Sequence, residues 1–155
     1  MRRKKNYKKE HKPDIKYNSI AATRFINYLM EDGKKSIAEK ILYKAFINIE
    51  KQTKQNPLEV FSKALDNTAP MVEVASRRVG GANYQVPREV RAERKFMLAV
   101  RWIIQAAKSK KGKPIDISLA EEILAASKNE GAAIKKKQDT HRMAEANRAF
   151  AHFSW

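Results

Sequence analysis

Three histidines are the residues of this sequence that most readily suggest catalysis or metal binding: His11, His141 and His152. A zinc or nuclease site needs further ligands or carboxylates at fixed spacing, as in His-Glu-x-x-His, and no such pattern accompanies them. The lysines and arginines around His141 and His152 would repel a cation. The chain has no cysteine, which excludes disulfides, thiolate ligands and thiol nucleophiles. We therefore expect no catalytic residue, no metal site and no cofactor.

A second chemistry is indicated where Arg77 and Arg78 precede Gly80-Gly81 and Tyr84. Arginine binds phosphate oxygens in pairs, glycine lets the backbone approach a ligand closely, and a tyrosine ring can stack on an unpaired base. No Lys-Ser/Thr pair follows the glycines at the spacing of a phosphate-binding loop. The cluster predicts contact with nucleic acid, and the alternative is an exposed turn whose arginines only keep it soluble.

The positive charge of the chain is concentrated in segments. Its 155 residues include 33 Lys and Arg against 17 Asp and Glu, a net charge of +16. Residues 1–16 carry eight basic and two acidic side chains and residues 77–113 carry eleven and two, whereas residues 17–76 are almost balanced. A protein charged only for solubility would distribute its lysines evenly, so this pattern predicts a polyanionic partner.

Apolar residues at steps of three and four predict six helices. Asn18 or Ser19 begins the first, Asn56-Pro57 is typical of a helix start, and Ser118 with Glu121 fits a capping box. The predicted helices run from 19 to 33, from 36 to 55, from 57 to 70, from 91 to 108, from 118 to 131, and from 132 to the C-terminal end.

Two of these helices carry basic faces. In the fourth, Arg94, Arg101 and Lys108 lie opposite an apolar side that includes Phe96, and a basic loop at 108–113 continues the stripe. A nucleic-acid contact and a solvated helix face are both open for this stripe. The sixth helix is predicted to have an apolar side formed by Met143, Ala146, Phe150 and Phe153. Its basic side is predicted to carry Lys137, His141, Arg148 and His152.

Residues 72–79 and 84–90 change to a period of two around Gly80-Gly81, which predicts a β-hairpin. A strand of this length reaches about 26 Å at ~3.3 Å per residue, so the hairpin should project from the helices with its outer half unpacked. The predicted fold is mainly α: a six-helix, bundle-like body with a protruding two-stranded hairpin (71–90) between the third and fourth helices. We expect one domain over 1–155, with a flexible basic tail over 1–18.

The sequence also predicts the cellular setting. The longest apolar runs, such as residues 96–100, are far shorter than the ~20 residues of a membrane span. The basic N-terminal residues are not followed by an apolar stretch of signal-peptide length. We expect a protein without membrane contact, in a reducing compartment such as the cytoplasm.

Several separated motifs resemble the bacterial family of small-subunit ribosomal protein S7, and together they cover essentially the full chain. The most specific is DTHRMAEANRAFAH at 139–152. The others are PMVEV at 70–74, SRRVGG at 76–81, YQVP at 84–87, EVR at 89–91, RW at 101–102, FINYLM at 25–30 and DGKKS at 32–36. Three departures stand out: Ala92 replaces a usual proline, Lys95 a frequent arginine, and the chain ends in His-Phe-Ser-Trp where Tyr-Arg-Trp is common.

The resemblance implies a helical body with a hairpin arm that binds small-subunit ribosomal RNA and helps nucleate assembly of the subunit head. It also implies a place at the exit site, near messenger RNA, transfer RNA and neighbouring ribosomal proteins. The residues expected to contact ribosomal RNA, from the resemblance and the basic faces together, are Arg2, Arg3, Lys4, Lys5, Lys34, Lys35, Arg77, Arg78, Arg91, Arg94, Lys95, Arg101, Lys108, Lys110 and Lys111. Those expected near transfer or messenger RNA are Gly80, Gly81, Tyr84, Lys137, His141, Arg142, Asn147 and Arg148.

Two other functions remain open on composition alone. A DNA-architectural protein could insert a basic hairpin into the minor groove. A nucleic-acid-processing enzyme could use the histidines, although no further charged constellation supports it. The matched motifs favour the RNA-binding scaffold over both.

Overall fold

A computed structural model describes residues 11–153 of the chain. It contains six α-helices, one antiparallel hairpin between the third and fourth helices, and a terminal 3₁₀ helix, which confirms the predicted fold class. In chain order the elements are α1 (Ile20–Leu29), α2 (Lys35–Thr53), α3 (Pro57–Thr68), β1 (Val72–Val79), β2 (Ala82–Glu89), α4 (Ala92–Ser109), α5 (Ile115–Ser127), α6 (Ala132–Ala146) and the 3₁₀ helix (Arg148–Phe153).

Helix α5 lies at the centre of the body, in contact with α2, α3, α4 and α6. It can do so because small or apolar residues occur around most of its circumference, with Leu119, Ala120 and Ile123 fully buried. Beside it, the ring of Phe61 lies between those of Phe25 and Phe46, with centroids 5.3 Å away on each side. These edge-to-face contacts join α1, α2 and α3 into one core.

Two of the predicted helix starts are confirmed. Ser19 caps α1, where its Oγ accepts a hydrogen bond from the Ala22 amide, and the Asn56 side chain caps α3 in the same way, with Pro57 in the first turn. Helix α4 begins at Ala92 and is preceded by Arg91 in an extended conformation.

The predicted capping box of the fifth helix is wrong. Helix α5 begins at Ile115, one turn earlier, because Pro114 provides the extended residue that precedes it. Ser118 is therefore inside the helix and fully buried, and its hydroxyl has no hydrogen-bond partner within residues 11–153. Glu121 instead forms ion pairs with Lys113 and Lys110, at 2.5 and 3.7 Å.

A buried carboxylate of α5 organises the start of α6. Glu122 is 1% exposed, and its Oε1 accepts a hydrogen bond from the Ala133 amide at 3.0 Å while Oε2 pairs with Lys110 Nζ at 3.1 Å. Gly131 precedes α6 with φ +95° and lies so close that an added Cβ would be 2.8 Å from Glu122 Oε1. This position therefore needs glycine for its backbone and for its space.

Asp14, within the tail predicted for 1–18, is hydrogen-bonded to the body. Asp14 is 7% exposed and accepts hydrogen bonds from the amides of Lys16 and Tyr17 and from the Tyr43 hydroxyl, the last at 2.6 Å. The Tyr17 ring packs edge-on against Phe46, with centroids 5.1 Å apart. Burial and the hydrogen bond to Asp14 raise the pKa of Tyr43.

The predicted two-sided C-terminal helix is also wrong. Helix α6 ends at Ala146, and the chain continues as the 3₁₀ helix, so residues after 146 do not follow the same faces. The buried residues of α6 are Ala133, Ile134 and Ala144, whereas Met143 is half exposed. Phe96 of α4 packs against the core, as expected, and Trp102 does so too.

Substituting Gly131 by alanine tests the α5–α6 junction. We expect Gly131→Ala to lower the free energy of unfolding by about 1–3 kcal/mol more than Gly112→Ala, because only Gly131 lies against a fixed carboxylate. Gly112 is the matched control, since it has φ +82° but open space around its missing Cβ. Urea denaturation measures both, and equal losses would show that Glu122 moves aside without cost.

Candidate nucleic-acid interface

One buried carboxylate holds the base of the hairpin on the helical body. Glu73 of β1 receives hydrogen bonds from Arg94 Nε of α4 at 2.8 Å and from Arg88 Nε of β2 at 2.9 Å, and Arg88 Nη2 lies 2.7 Å from the same oxygen. The Glu73 side chain is 9% exposed, while the two arginines are about half exposed. Arg94, predicted as an RNA contact, thus has a structural role in joining the hairpin to α4.

The outer half of the hairpin packs on the C-terminal 3₁₀ helix, which corrects the expectation that it has little to pack against. The Tyr84 ring lies with its centroid 5.3 Å from Phe150 and 5.1 Å from Phe153. Arg77 Nη1 donates to the Phe153 carbonyl at 2.7 Å. Arg77 and Tyr84 face each other in the strand register, so they meet the same short segment.

The other side of the hairpin tip stays open. Arg78 faces Asn83 in the register and, because side chains alternate along a strand, lies on the side opposite Arg77. Both Arg78 and Asn83 are exposed. Gly80 and Gly81 form the turn with φ +57° and +92°, which explains the glycine pair, and no atom lies within 4 Å of the Cβ positions they lack.

The cations of the predicted stripe on α4 all contact neighbouring segments, and two of them, Arg94 and Lys108, have acidic partners. Lys108 forms a short ion pair with Glu31, whose pKa is lowered by that hydrogen bond and charge. The Arg101 guanidinium lies 5.8 Å from the centre of the Tyr28 ring. At the start of α4, in contrast, Arg91 is exposed and Lys95 half-buried, and neither has an acidic partner within the residues that the structure covers.

Within the described part of the chain, the basic loop between α4 and α5 also contains both paired and unpaired lysines. Lys110 pairs with Glu122 and Lys113 with Glu121, and the hydrogen bond from Lys113 lowers the pKa of Glu121. Lys111 is exposed and forms no ion pair with any residue from 11 to 153.

The start of α2 carries two further cations that were predicted to bind RNA. Lys34 and Lys35 form long, exposed pairs with Asp32 and Glu39, at 3.7 and 3.9 Å. Pairs of this kind contribute little energy, so both lysines remain available to a stronger anion.

Two residues assigned to the basic side of α6 bond to the body instead. Lys137 Nζ donates to the Asn67 carbonyl at 2.6 Å, at the end of α3, and burial lowers its pKa. His141 Nε2 accepts a hydrogen bond from the Met71 amide at 3.1 Å, just before β1. Burial, and then the charge of Lys137, lower the pKa of His141.

The remaining C-terminal candidates lie on the surface. Arg142 and Arg148 are exposed, and Asn147 donates its side-chain amide to the Met143 carbonyl at 2.7 Å. An open groove of about 450 Å³ separates the hairpin from α6 and the 3₁₀ helix. It is lined by Val72, Pro87, Arg88, Glu89, His141, Ala144, Glu145, Arg148 and Ala151.

Some site residues were missed by the sequence reasoning, and some predictions lie outside the structure. Glu73 and Arg88 were not singled out, although a turn at Gly80-Gly81 already places them opposite each other in a hairpin. Arg2, Arg3, Lys4 and Lys5 lie outside the described residues. Within 11–153, no group of three His, Asp or Glu side chains could hold a metal ion, and no helix is long and apolar enough to cross a membrane.

Comparison with known proteins decides the family. The family model described as ribosomal protein S7p/S5e matches residues 1–148. The chain belongs to this ribosomal protein S7 family. It is 56% identical to the small ribosomal subunit protein uS7 of Thermotoga maritima over 155 residues, with 100% of both chains covered. The protein of the same name from Methylobacterium radiotolerans is 55% identical over 154 residues, with 99% of each chain covered.

Membership of the S7 family assigns the chain to the structural proteins of the small ribosomal subunit, which are not enzymes. Binding to ribosomal RNA is general for this family, as is its place in the ribosome, which is cytoplasmic in bacteria. The cationic surface described above is therefore the candidate RNA interface of an S7 protein.

Replacing Glu73 by glutamine tests the attachment of the hairpin. We expect Glu73→Gln to lower the free energy of unfolding by about 1–3 kcal/mol, because two arginines lose their shared carboxylate. The loss is moderate because both arginines are half exposed and can still be solvated by water. Urea denaturation gives the value. Glu39→Gln, which removes the long exposed pair with Lys35, is the control and should change stability by less than ~0.5 kcal/mol. Equal effects would contradict the role of Glu73.

The His141 contact predicts a pH dependence of stability. The pKa of His141 is lowered in the folded state. Below pH ~6.5 the unfolded chain therefore binds a proton more readily than the folded chain does, and the stability decreases as the pH is lowered. We expect the loss between pH 7 and 5 to be smaller in His141→Gln, because glutamine can accept the Met71 hydrogen bond without titrating. Thermal unfolding across this range measures it. His11→Gln should retain the full loss, and a His141→Gln profile identical to that of the unmodified chain would refute the assignment.

Proposed function

We propose that this S7-family chain nucleates assembly of the head of the small subunit by binding its ribosomal RNA, and that it lies at the exit site near messenger RNA and transfer RNA. The observation that supports this most directly is the arrangement of the open cations. Arg78 at the hairpin tip, Arg91 and Lys95 at the start of α4, and Lys111 in the α4–α5 loop have no acidic partner in residues 11–153.

The proposed ribosomal RNA contacts form two groups. Open or weakly paired cations would bind phosphates directly, and they are Lys34, Lys35, Arg78, Arg91, Lys95 and Lys111, together with the tail residues Arg2, Arg3, Lys4 and Lys5. Cations that already have a partner would contribute less, because binding RNA must first replace that partner. These are Arg77, Arg94, Arg101, Lys108 and Lys110.

The proposed exit-site surface combines the hairpin tip with the C-terminal end. The Tyr84 ring contacts Phe150 and Phe153, so the outer half of the hairpin and the 3₁₀ helix lie side by side. We propose that Gly80, Gly81, Tyr84, Arg142, Asn147 and Arg148 approach messenger or transfer RNA. Lys137 and His141 act indirectly, because their hydrogen bonds hold α6 against α3 and the hairpin base.

The groove beside this surface suits a neighbouring ribosomal protein. Its lining joins small apolar side chains, among them Val72, Pro87 and Ala144, to charges of both signs. A mixed lining of this kind resembles a protein contact more than a phosphate site, because RNA would meet Glu89 and Glu145 there.

Salt dependence of RNA binding tests the proposed interface. Each phosphate contact contributes about 0.7–0.9 to the slope of log affinity against log salt concentration. We expect the variant Arg78→Gln/Arg91→Gln/Lys95→Gln to lower this slope by about 2 on deproteinised small-subunit RNA. The matched control Lys63→Gln/Lys128→Gln/Lys135→Gln removes the same charge from exposed positions elsewhere and should leave the slope unchanged.

Two outcomes would contradict the proposal. An affinity of the unmodified chain that is indifferent to salt would refute phosphate binding. Equal competition by duplex DNA would favour a DNA-architectural protein.

The proposed exit-site position is tested on assembled subunits with a photo-cross-linker attached at Asn83→Cys. The attachment is specific because the chain has no other cysteine. We expect cross-links to messenger or transfer RNA from this position and none from Lys63→Cys; their absence would refute it.

A further inference from the structure

The outer face of α2 carries a row of lysines that no role assigned above includes. Lys40, Lys44 and Lys51 are exposed and, at 100° per residue, lie within about 40° of one another on the helix. Eleven residues at 1.5 Å each give the row a length of about 16 Å. The buried side of the helix lies opposite and consists of Ala38, Leu42, Ala45, Phe46 and Ile49. We call these three lysines the α2 row.

In the part of the chain that the structure describes, the α2 row has no acidic partner, as is also the case for Arg78, Arg91, Lys95 and Lys111. No carboxylate oxygen of residues 11–153 lies within 4.0 Å of any of its three ammonium groups. In the region of α4 and α5, by comparison, Lys108, Lys110 and Lys113 all have carboxylate partners. On α2 itself, Glu39 is paired with Lys35, and Glu50 lies about 80–120° away from the three lysines around the helix axis.

The anchored N-terminal segment adds charge beside this row. Asp14 is hydrogen-bonded to Tyr43, which is three residues from Lys40 and adjoins it on the helix surface. The Lys16 ammonium lies 5.3 Å from the centre of the Tyr43 ring. Lys16 therefore lies at the edge of the α2 row and adds a fourth positive charge to it.

We propose that the α2 row, with Lys16 beside it, binds the phosphate backbone of a second segment of small-subunit RNA. Charge complementarity selects this occupant, because a straight row of unpaired ammonium groups matches a polyanionic strand. Lysines act as point charges and suit phosphates rather than base edges, so the contact positions the RNA without reading its sequence. The inference rests on the proposed RNA-binding function and adds a contact face on α2 to it.

Neutralising the row tests the inference. We expect Lys40→Gln/Lys44→Gln/Lys51→Gln to lower the salt slope by about 2 on deproteinised small-subunit RNA and to weaken binding ~10-fold or more at 0.15 M salt. Glutamine is a good helix former, so helix content by circular dichroism should not change. The control Lys63→Gln/Lys128→Gln/Lys135→Gln, with the same charge loss, should behave as the unmodified chain.

A tethered probe gives the direct evidence. Because the chain lacks cysteine, Lys44→Cys can carry a single iron–EDTA group that cleaves nearby RNA. We expect strand cleavage in the complex from position 44 and none from Lys63→Cys.

The outcomes separate this inference from the function on which it rests. An unmodified chain without salt-dependent RNA binding would overturn the proposed function. Salt-dependent binding that the α2-row variant retains in full, or that the control loses equally, would overturn the inference alone. If the variant keeps its RNA affinity but fails to join assembled subunits, the row contacts a protein neighbour, which also overturns it.

Discussion

The burial of Glu73 between Arg88 and Arg94 is the interaction on which the geometry of this molecule depends. A two-stranded hairpin is at best marginally stable in water by itself, so its direction must be set by contacts with the body. The buried carboxylate of Glu73 sets this direction, because its desolvated charge is tolerated only in the orientation in which both arginines bind it. The Met71 amide hydrogen bond to His141 fixes the same base against α6. With the base held, the tip can rest on Phe150 and Phe153.

Four glutamates neutralise particular cations of the body. Glu31, Glu73, Glu121 and Glu122 each bind lysines or arginines that connect two elements of the body. The excess charge is thereby sorted into cations that stabilise the fold and cations left open for a polyanion. A net charge of +16 repels itself, and RNA would relieve that repulsion where the open cations are concentrated.

Local patterns were enough to predict the elements of the fold. The caps at Ser19 and Asn56 and the glycine pair of the hairpin turn were found because each depends only on neighbours in the chain. Ser118 misled because a capping-box pattern is equally compatible with a helix that starts one turn earlier. The basic candidates were recognised as a group, but the sequence could not distinguish those that stabilise the fold from those left open. Arg77 and Arg78 are adjacent in sequence, yet only Arg77 forms a hydrogen bond with the 3₁₀ helix.

The sequence by itself determined the number and order of the helices, the hairpin, the segmental charge and the family, since these follow from local stereochemistry, composition and matched motifs. Only the tertiary structure decided which charges are neutralised and which side of the hairpin is covered. Glu73 meets Arg94 across 21 residues and Lys137 meets Asn67 across 70. Contacts over such separations depend on how the helices pack, and periodicity along the chain carries no information about that.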